Sequence, residues 1–233
     1  MAVITISRQH GSGGDEIADR LCELLGYHHF DKQLLKQAAL ESGLSDNEII
    51  DYTEENYRVK NFIERLTGRP IPVAKVSVWR EDTRGVRSSE DVVLNDDLAM
   101  NLVKKAVKAS YQVGEMVIVG RGGNLILKDQ PDVLSVRIEA PMEERVQRVK
   151  SLMKDEHKAY RADLTLRREA QDIIVTRDYA SADYIKQYYG VDWEDPLLYH
   201  LVINTGRLSV EQAAQTIVNL VHRLEAEREV VAD

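Results

Sequence analysis

The sequence predicts an α/β fold built on a doubly wound, mainly parallel five-stranded sheet. Three observations carry this. Short apolar runs alternate with stretches of helical period, a glycine cluster directly follows the first run, and Met116 to Val119 is a compact apolar run suited to a strand covered on both faces.

Taken in order, Val3 to Ser7 reads as a strand broken by Gly11, Ser12, Gly13 and Gly14. Ile17, Leu21, Leu24 and Leu25 then recur at helical spacing until Gly26, which is placed to stop the helix. Tyr27 to Phe30 resembles a short second strand. Helices are expected over about 31–42 and over 45–66, the latter with Ser45 and Asp46 as caps. The pattern fails from Thr67 to Glu90, where Gly68, Pro70, Pro72 and Gly85 stand among basic residues. That stretch is expected to be a loop with at most one short strand at Val73 to Trp79.

A helix from about Leu94 to Gln112 leads into the strand at 116–119, and Gly120-Arg121-Gly122-Gly123 follows at once. Val133 to Ile138 repeats the strand signal. Pro141 opens a helix with Val146, Val149 and Leu152 on one side, and a long charged helix is expected from Asp163 to Tyr189. Leu201 to Asn204 supplies the last strand. Ser209 caps a final amphipathic helix through about Leu224.

With 233 residues, 43% hydrophobic and 30% charged, the chain reads as one folded domain over 1–233 carrying an insertion at 32–110. A net charge of −8 gives no bulk attraction to nucleic acid or to an anionic membrane, so neither is expected as a partner and any anion site must be local. Cys22 is the only cysteine, which excludes an internal disulfide and a cysteine zinc cluster; it reads as a buried thiol. No apolar run approaches the roughly 20 residues that span a bilayer and no leader pattern is visible, so a cytoplasmic protein is expected. The spacing of His10, His28 and His29 fits no zinc signature.

The glycine cluster carries the chemistry. A helix N-terminus presents unpaired amides and a partial positive charge, and glycines before it let the backbone wrap an oxyanion. Gly11, Ser12, Gly13, Gly14, Asp15 and Glu16 occupy that place. Against the pattern G-x-x-x-x-G-K-[ST], aligned on Gly13, Arg8 replaces the first glycine and Gly14 the lysine. Arg8 is therefore a candidate to supply the missing positive charge; a pairing with a carboxylate such as Asp31 is the alternative. Asp15 and Glu16 stand where a Ser or Thr would hold Mg²⁺. They also suit a first helical turn without any ligand.

Four segments resemble the cytidylate kinase-like family of nucleoside-monophosphate kinases. They are Ile4 to Gly26 with the following Tyr27, Phe30 and Asp31; Val117-Ile118-Val119-Gly120-Arg121; Val136 to Val149; and Leu201-Val202-Ile203-Asn204-Thr205 to Val221. The resemblance implies a P-loop kinase fold, with 32–110 as a helical acceptor region and 141–190 as a lid-like region. It also implies phosphoryl transfer from ATP with Mg²⁺ to a small phosphate- or hydroxyl-bearing acceptor, CMP-like in the family. Arg8, Arg121, Arg145 and Arg148 become the catalytic candidates, and Asp31 and Arg121 the acceptor contacts. Gly122 stands where the family has an aspartate. The rival reading is a nucleotide-binding regulator without turnover, whereas a dinucleotide-dependent dehydrogenase is disfavoured because Glu16 stands where G-x-G-x-x-G needs glycine. Helices 45–66 and 94–112 leave a homodimer open.

Overall fold

The computed structural model describes residues 3–30, 75–81, 87–93, 96–156 and 163–232. The helices expected over 31–42 and 45–66, and with them Asp31, lie outside these residues. The chain divides into two compact units, Met1–His29 with Gly114–Asp233, and Phe30–Val113.

The first unit is built on β1 (Val3–Arg8), α1 (Gly14–Leu25) and β2 (His28–His29). In the second unit, β3 (Lys75–Glu81) and β4 (Arg87–Val93) pair as an antiparallel hairpin, with Lys75 opposite Val93 and Glu81 opposite Arg87. This corrects the expectation of a loop with one strand at 73–79. The sequence RSSEDVV of β4 lacks the apolar alternation that marks a strand, so pairing with β3 rather than its own pattern defines it. The same unit contains α2 (Asp96–Val113).

The first unit continues with β5 (Met116–Val119), α3 (Gly123–Ile126), β6 (Val133–Glu139), α4 (Met142–Glu156), α5 (Asp163–Tyr189), a 3-10 turn at Pro196–Leu198, β7 (Leu201–Asn204) and α6 (Val210–Ala232). Its five strands run parallel in the order β2-β5-β1-β6-β7. Every parallel connection needs a crossover, which the intervening helices supply. The chain leaves β1 toward one edge and later returns to β6 on its other side, so the crevice beyond the carboxyl ends of β1 and β6 is the topological switch point, where ligands bind in open α/β sheets.

The two faces of the sheet differ. Ile4, Ile6, Val117, Val136, Ile138 and Ile203 pack beneath Ile17 and Leu21 of α1 and Ala213, Ala214, Ile217 and Val221 of α6, all within one buried apolar cluster. Ser209 and Gln212 start α6 with a reciprocal capping box, the Gln212 amide donating to Ser209 Oγ and the Ser209 amide to Gln212 Oε1. On the opposite face Thr5, Ser7, Ser135 and Arg137 are buried polar residues. Thr5 Oγ1 donates to Ser135 Oγ at 3.1 Å, and Trp193 Nε1 donates to Ser7 Oγ at 2.9 Å. Arg137, 1% exposed, lies 4.3 Å over the Trp193 ring and donates Nη1 to the Trp193 carbonyl at 2.8 Å and Nε to Glu139. The ion pair and the indole face together offset the cost of burying this charge. The aromatic segment after α5 thus packs against the sheet through Trp193.

Candidate nucleotide-phosphate site

β1 ends at Arg8 and α1 begins at Gly14, with left-handed Gly11 (φ 75°) and Gly13 (φ 84°) turning the chain between them. The loop is held from both sides. The Gln9 amide donates to the Ile138 carbonyl at 3.0 Å, while the Ala140 amide donates to Gln9 Oε1 at 3.1 Å, tying the loop's start to β6.

The orientation of the peptide groups decides what this loop can do. Its carbonyls point into the protein. Arg145 Nη1 donates to the His10 oxygen at 3.4 Å, Arg148 Nη1 to the Gly11 oxygen at 3.3 Å, and Thr205 Oγ1 to the Ser12 oxygen at 2.5 Å. The Ser12 amide closes a turn onto the Gln9 oxygen and the His10 amide donates to Asp178 Oδ1 at 2.8 Å. The amides of Gly11, Gly13, Gly14 and Asp15 have no acceptor among the described residues. Carbonyls bonded inward and amides left open make a cradle for an oxyanion, reinforced by the positive end of the α1 dipole.

Gly14 has a specific steric reason. A Cβ there would lie 2.6 Å from Arg8 Cβ and 2.8 Å from its Cγ. The Arg8 side chain therefore crosses the space in which a lysine at 14 would begin. Its guanidinium meets Asp15 Oδ1 through Nε and Nη2, both at 3.2 Å. The carboxylate that Arg8 engages is thus Asp15 on α1. Gly11 is equally confined, with Val149 Cγ2 2.9 Å from its Cβ position.

Arg145 and Arg148, expected to act directly on phosphate, reach the loop through its carbonyl side. Arg145 is 5% exposed and forms a buried ion pair with Asp178, which also accepts from the His10 amide. Arg148 donates to the Thr205 carbonyl at 2.8 Å and to Thr205 Oγ1 at 3.0 Å. Asp178 and Thr205 are functional residues that sequence reasoning missed. Asp178 lies on a helix of mixed charge with no motif around it, and only the T of the terminal strand's family-like run pointed toward Thr205.

His10 sits amid these charges. Burial first, then Arg177 and more weakly Arg8, push its imidazole down to about 4, against the opposing pull of Asp178 and Asp15. His10 is therefore held neutral chiefly by its burial, with Arg177 adding to the effect. His28 and His29 are exposed on β2. Among the described residues no group of three or more His, Cys, Asp or Glu side chains is placed to hold a metal ion.

At the end of β5, Gly120, Arg121 and Gly122 are all left-handed, with φ of 71°, 57° and 66°. Arg121 pays the steric cost of that conformation without being glycine, a form of local strain that collects at functional turns. Tyr189, the last residue of α5, lies against the turn, its hydroxyl 2.7 Å from the Cβ position of Gly122. A side chain at 122 would have to displace the Tyr189 ring and adopt a left-handed backbone.

A parallel sheet whose central strand ends in an open phosphate loop, followed at once by a helix, defines a P-loop kinase, a phosphotransferase that holds a nucleotide by its phosphates. The chain belongs to the cytidylate kinase-like family, whose model matches residues 3–207. It is similar to cytidylate kinases of Aeropyrum pernix, 28% identical over 91% of this chain and 95% of that one, and of Halobacterium salinarum, 23% identical over 97% and 93%. An uncharacterized protein of Eubacterium ventriosum has the same fold, with a TM-score of 0.59 at 22% identity over 95% of this chain and 99% of that one. The chain is accordingly a nucleotide kinase. No helix among the described residues is long and apolar enough to cross a membrane.

Proposed function

We propose that the protein transfers the γ-phosphoryl group of Mg-ATP to the phosphate of a nucleoside monophosphate, with CMP the first acceptor to test and Arg8 in the place of the usual loop lysine. The observation that carries this reading is the loop itself: open amides at Gly11, Gly13, Gly14 and Asp15, crossed by the side chain of Arg8. An acceptor phosphate oxygen attacks the γ-phosphorus as the bond to the β-phosphate oxygen breaks, and ADP leaves. Charge then builds on the β-phosphate, where fixed amides and a guanidinium stabilise it without reorganising.

Arg145 and Arg148 act as positioning residues, holding the loop's carbonyls away from the nucleotide so that its amides stay turned toward it. Arg121, fixed in its left-handed turn, is assigned to the acceptor phosphate, with Asp31 as a further acceptor contact. The carboxylates suit a magnesium ion by their oxygen donors: Asp15 is 65% exposed in the first turn of α1 beside Glu16, and Mg²⁺ is commonly bound by one or two carboxylates, waters and substrate phosphates rather than by an all-protein cage. When bound, the ion neutralises charge on the β- and γ-phosphates.

The test is ADP release, coupled to a spectroscopic readout, with ATP and Mg²⁺ against CMP, UMP, AMP and hydroxyl acceptors. CMP-dependent release is expected, with Arg8→Ala lowering kcat/KM by about 10³, the low end for a phosphate-directed arginine. Unchanged kinetics in Arg8→Ala would remove Arg8 from the reaction. ADP and ATP binding with no acceptor-dependent turnover would instead favour a regulator.

A further inference from the structure

The pairing of Arg8 with Asp15 bears on which form of the nucleotide the loop accepts. Arg8 Nε and Nη2 both engage one oxygen of Asp15, and no other partner of this guanidinium stands among the described residues. The cation that faces the open amides is therefore already engaged by an anion of the chain's own. Arg8 is 24% exposed and Asp15 65% exposed, so the pair lies at the solvent side of the loop, where an incoming phosphate must approach. An exposed pair of this kind is weak and exchangeable.

We propose that Asp15 is the determinant by which the loop selects metal-bound over metal-free nucleotide. Its carboxylate holds Arg8 while the site is vacant, and yields it to a phosphoryl oxygen when a divalent cation arriving with the nucleotide takes the carboxylate over. This rests on the phosphate-loop reading. A metal-free polyphosphate must compete with Asp15 for Arg8 and also approach a like charge, a combination expected to lower affinity by about tenfold or more. With the cation present both penalties disappear, because the carboxylate becomes a ligand and Arg8 is released. Gly14 makes the exchange possible: lacking a side chain, it lets Arg8 cross to the mouth of the loop within reach of both anions.

A role for Asp15 confined to the helix dipole predicts a different result. In that case its neutralisation lowers stability slightly and leaves metal preference unchanged. The distinguishing experiment is calorimetric binding of ADP to the full chain, with MgCl2 and separately with EDTA, for the wild type, Asp15→Asn and Asp15→Ser, each checked for an unchanged melting profile. The wild type is expected to bind Mg-ADP at least tenfold more tightly than free ADP. Both variants are expected to bind free ADP about tenfold more tightly than the wild type does and to gain little from Mg²⁺. Variants that bind free ADP no better than the wild type, or that keep its full response to Mg²⁺, overturn the proposal and leave the phosphate loop standing. A wild type that binds ADP under neither condition overturns both.

Discussion

Two glycine turns leave the sheet at neighbouring strand ends, and they do opposite things. The loop after β1 opens onto a 12-residue helix, leaves the Gly11, Gly13, Gly14 and Asp15 amides without an acceptor among the described residues and turns its carbonyls toward Arg145, Arg148 and Thr205. The turn after β5 opens onto a four-residue helix and closes on itself: the Gly123 amide donates to the Gly120 oxygen at 2.9 Å, and the Leu125 and Ile126 amides both donate to the Gly122 oxygen. Each has a glycine whose missing side chain makes room for another residue, Arg8 at Gly14 and Tyr189 at Gly122. Glycine content is thus a poor guide to anion binding. The direction in which the peptide groups face decides it, and in the second turn the product is a fixed arginine rather than a cradle.

The sharpest way to break the comparison is to add one methyl group at each turn. In Gly14→Ala the new carbon meets the base of the Arg8 side chain, which cannot withdraw without moving β1, so ADP affinity measured by calorimetry should fall about a hundredfold, with roughly 1–3 kcal/mol of overpacking. In Gly122→Ala the neighbour is the far end of Tyr189, which can swing away. Stability should drop by about 1–2 kcal/mol for the left-handed backbone while ADP affinity stays within a factor of two. Equal losses of affinity in the two variants would erase the distinction.

Next in size is the support behind the first loop. Asp178→Ala leaves the buried Arg145 guanidinium without its carboxylate and frees the His10 amide, which should cost about 3–5 kcal/mol in chemical denaturation. The loop should also impart an acid sensitivity that the turn does not. His10 is about 4 when folded against 6.5 as an ordinary imidazole, so the unfolded chain binds the extra proton first. Its contribution is complete above pH 6.5 and is lost as pH falls toward 4, amounting to up to about 3 kcal/mol. Denaturation midpoints of the wild type and His10→Gln, compared at pH 7 and pH 5, should diverge in that direction. A phosphate bound among Arg8 and Arg177 should raise the imidazole value, visible in its NMR titration.

The smallest effect lies away from both turns. Burial, with help from Asp19, pushes the Cys22 thiol up to about 11, against an ordinary 9.0, leaving about a hundredfold fewer thiolates at neutral pH. Alkylation by iodoacetamide should be slow in the folded protein and quicken on unfolding.

Much of this was legible in the sequence for a local reason. The strand at 3–8, the loop and α1 announce themselves through a β-branched run, glycines and a helical period in immediate succession, and α5 appears with the bounds its charged periodicity predicts. What escaped was either weakly patterned or long-range. The hairpin of β3 and β4 depends on pairing that its second strand's composition hides. Arg137 sits inside a run read as an apolar strand, and its burial depends on Trp193, 56 residues later. Asp178 becomes part of the loop only because α5 carries it there, 168 residues from His10. Arg145 and Arg148 were visible as basic residues on a helix, but which side of the loop they would reach depends on its peptide orientation, a property that no spacing of residue types encodes.

The hydrogen bond from Trp193 to Ser7 has a practical consequence. One of the chain's two indoles is buried under a guanidinium and anchored a single residue before Arg8. Its emission is therefore an intrinsic optical gauge of the strand from which the phosphate loop springs, and a ligand that tugs on that strand would register as a change of colour or brightness without any dye attached.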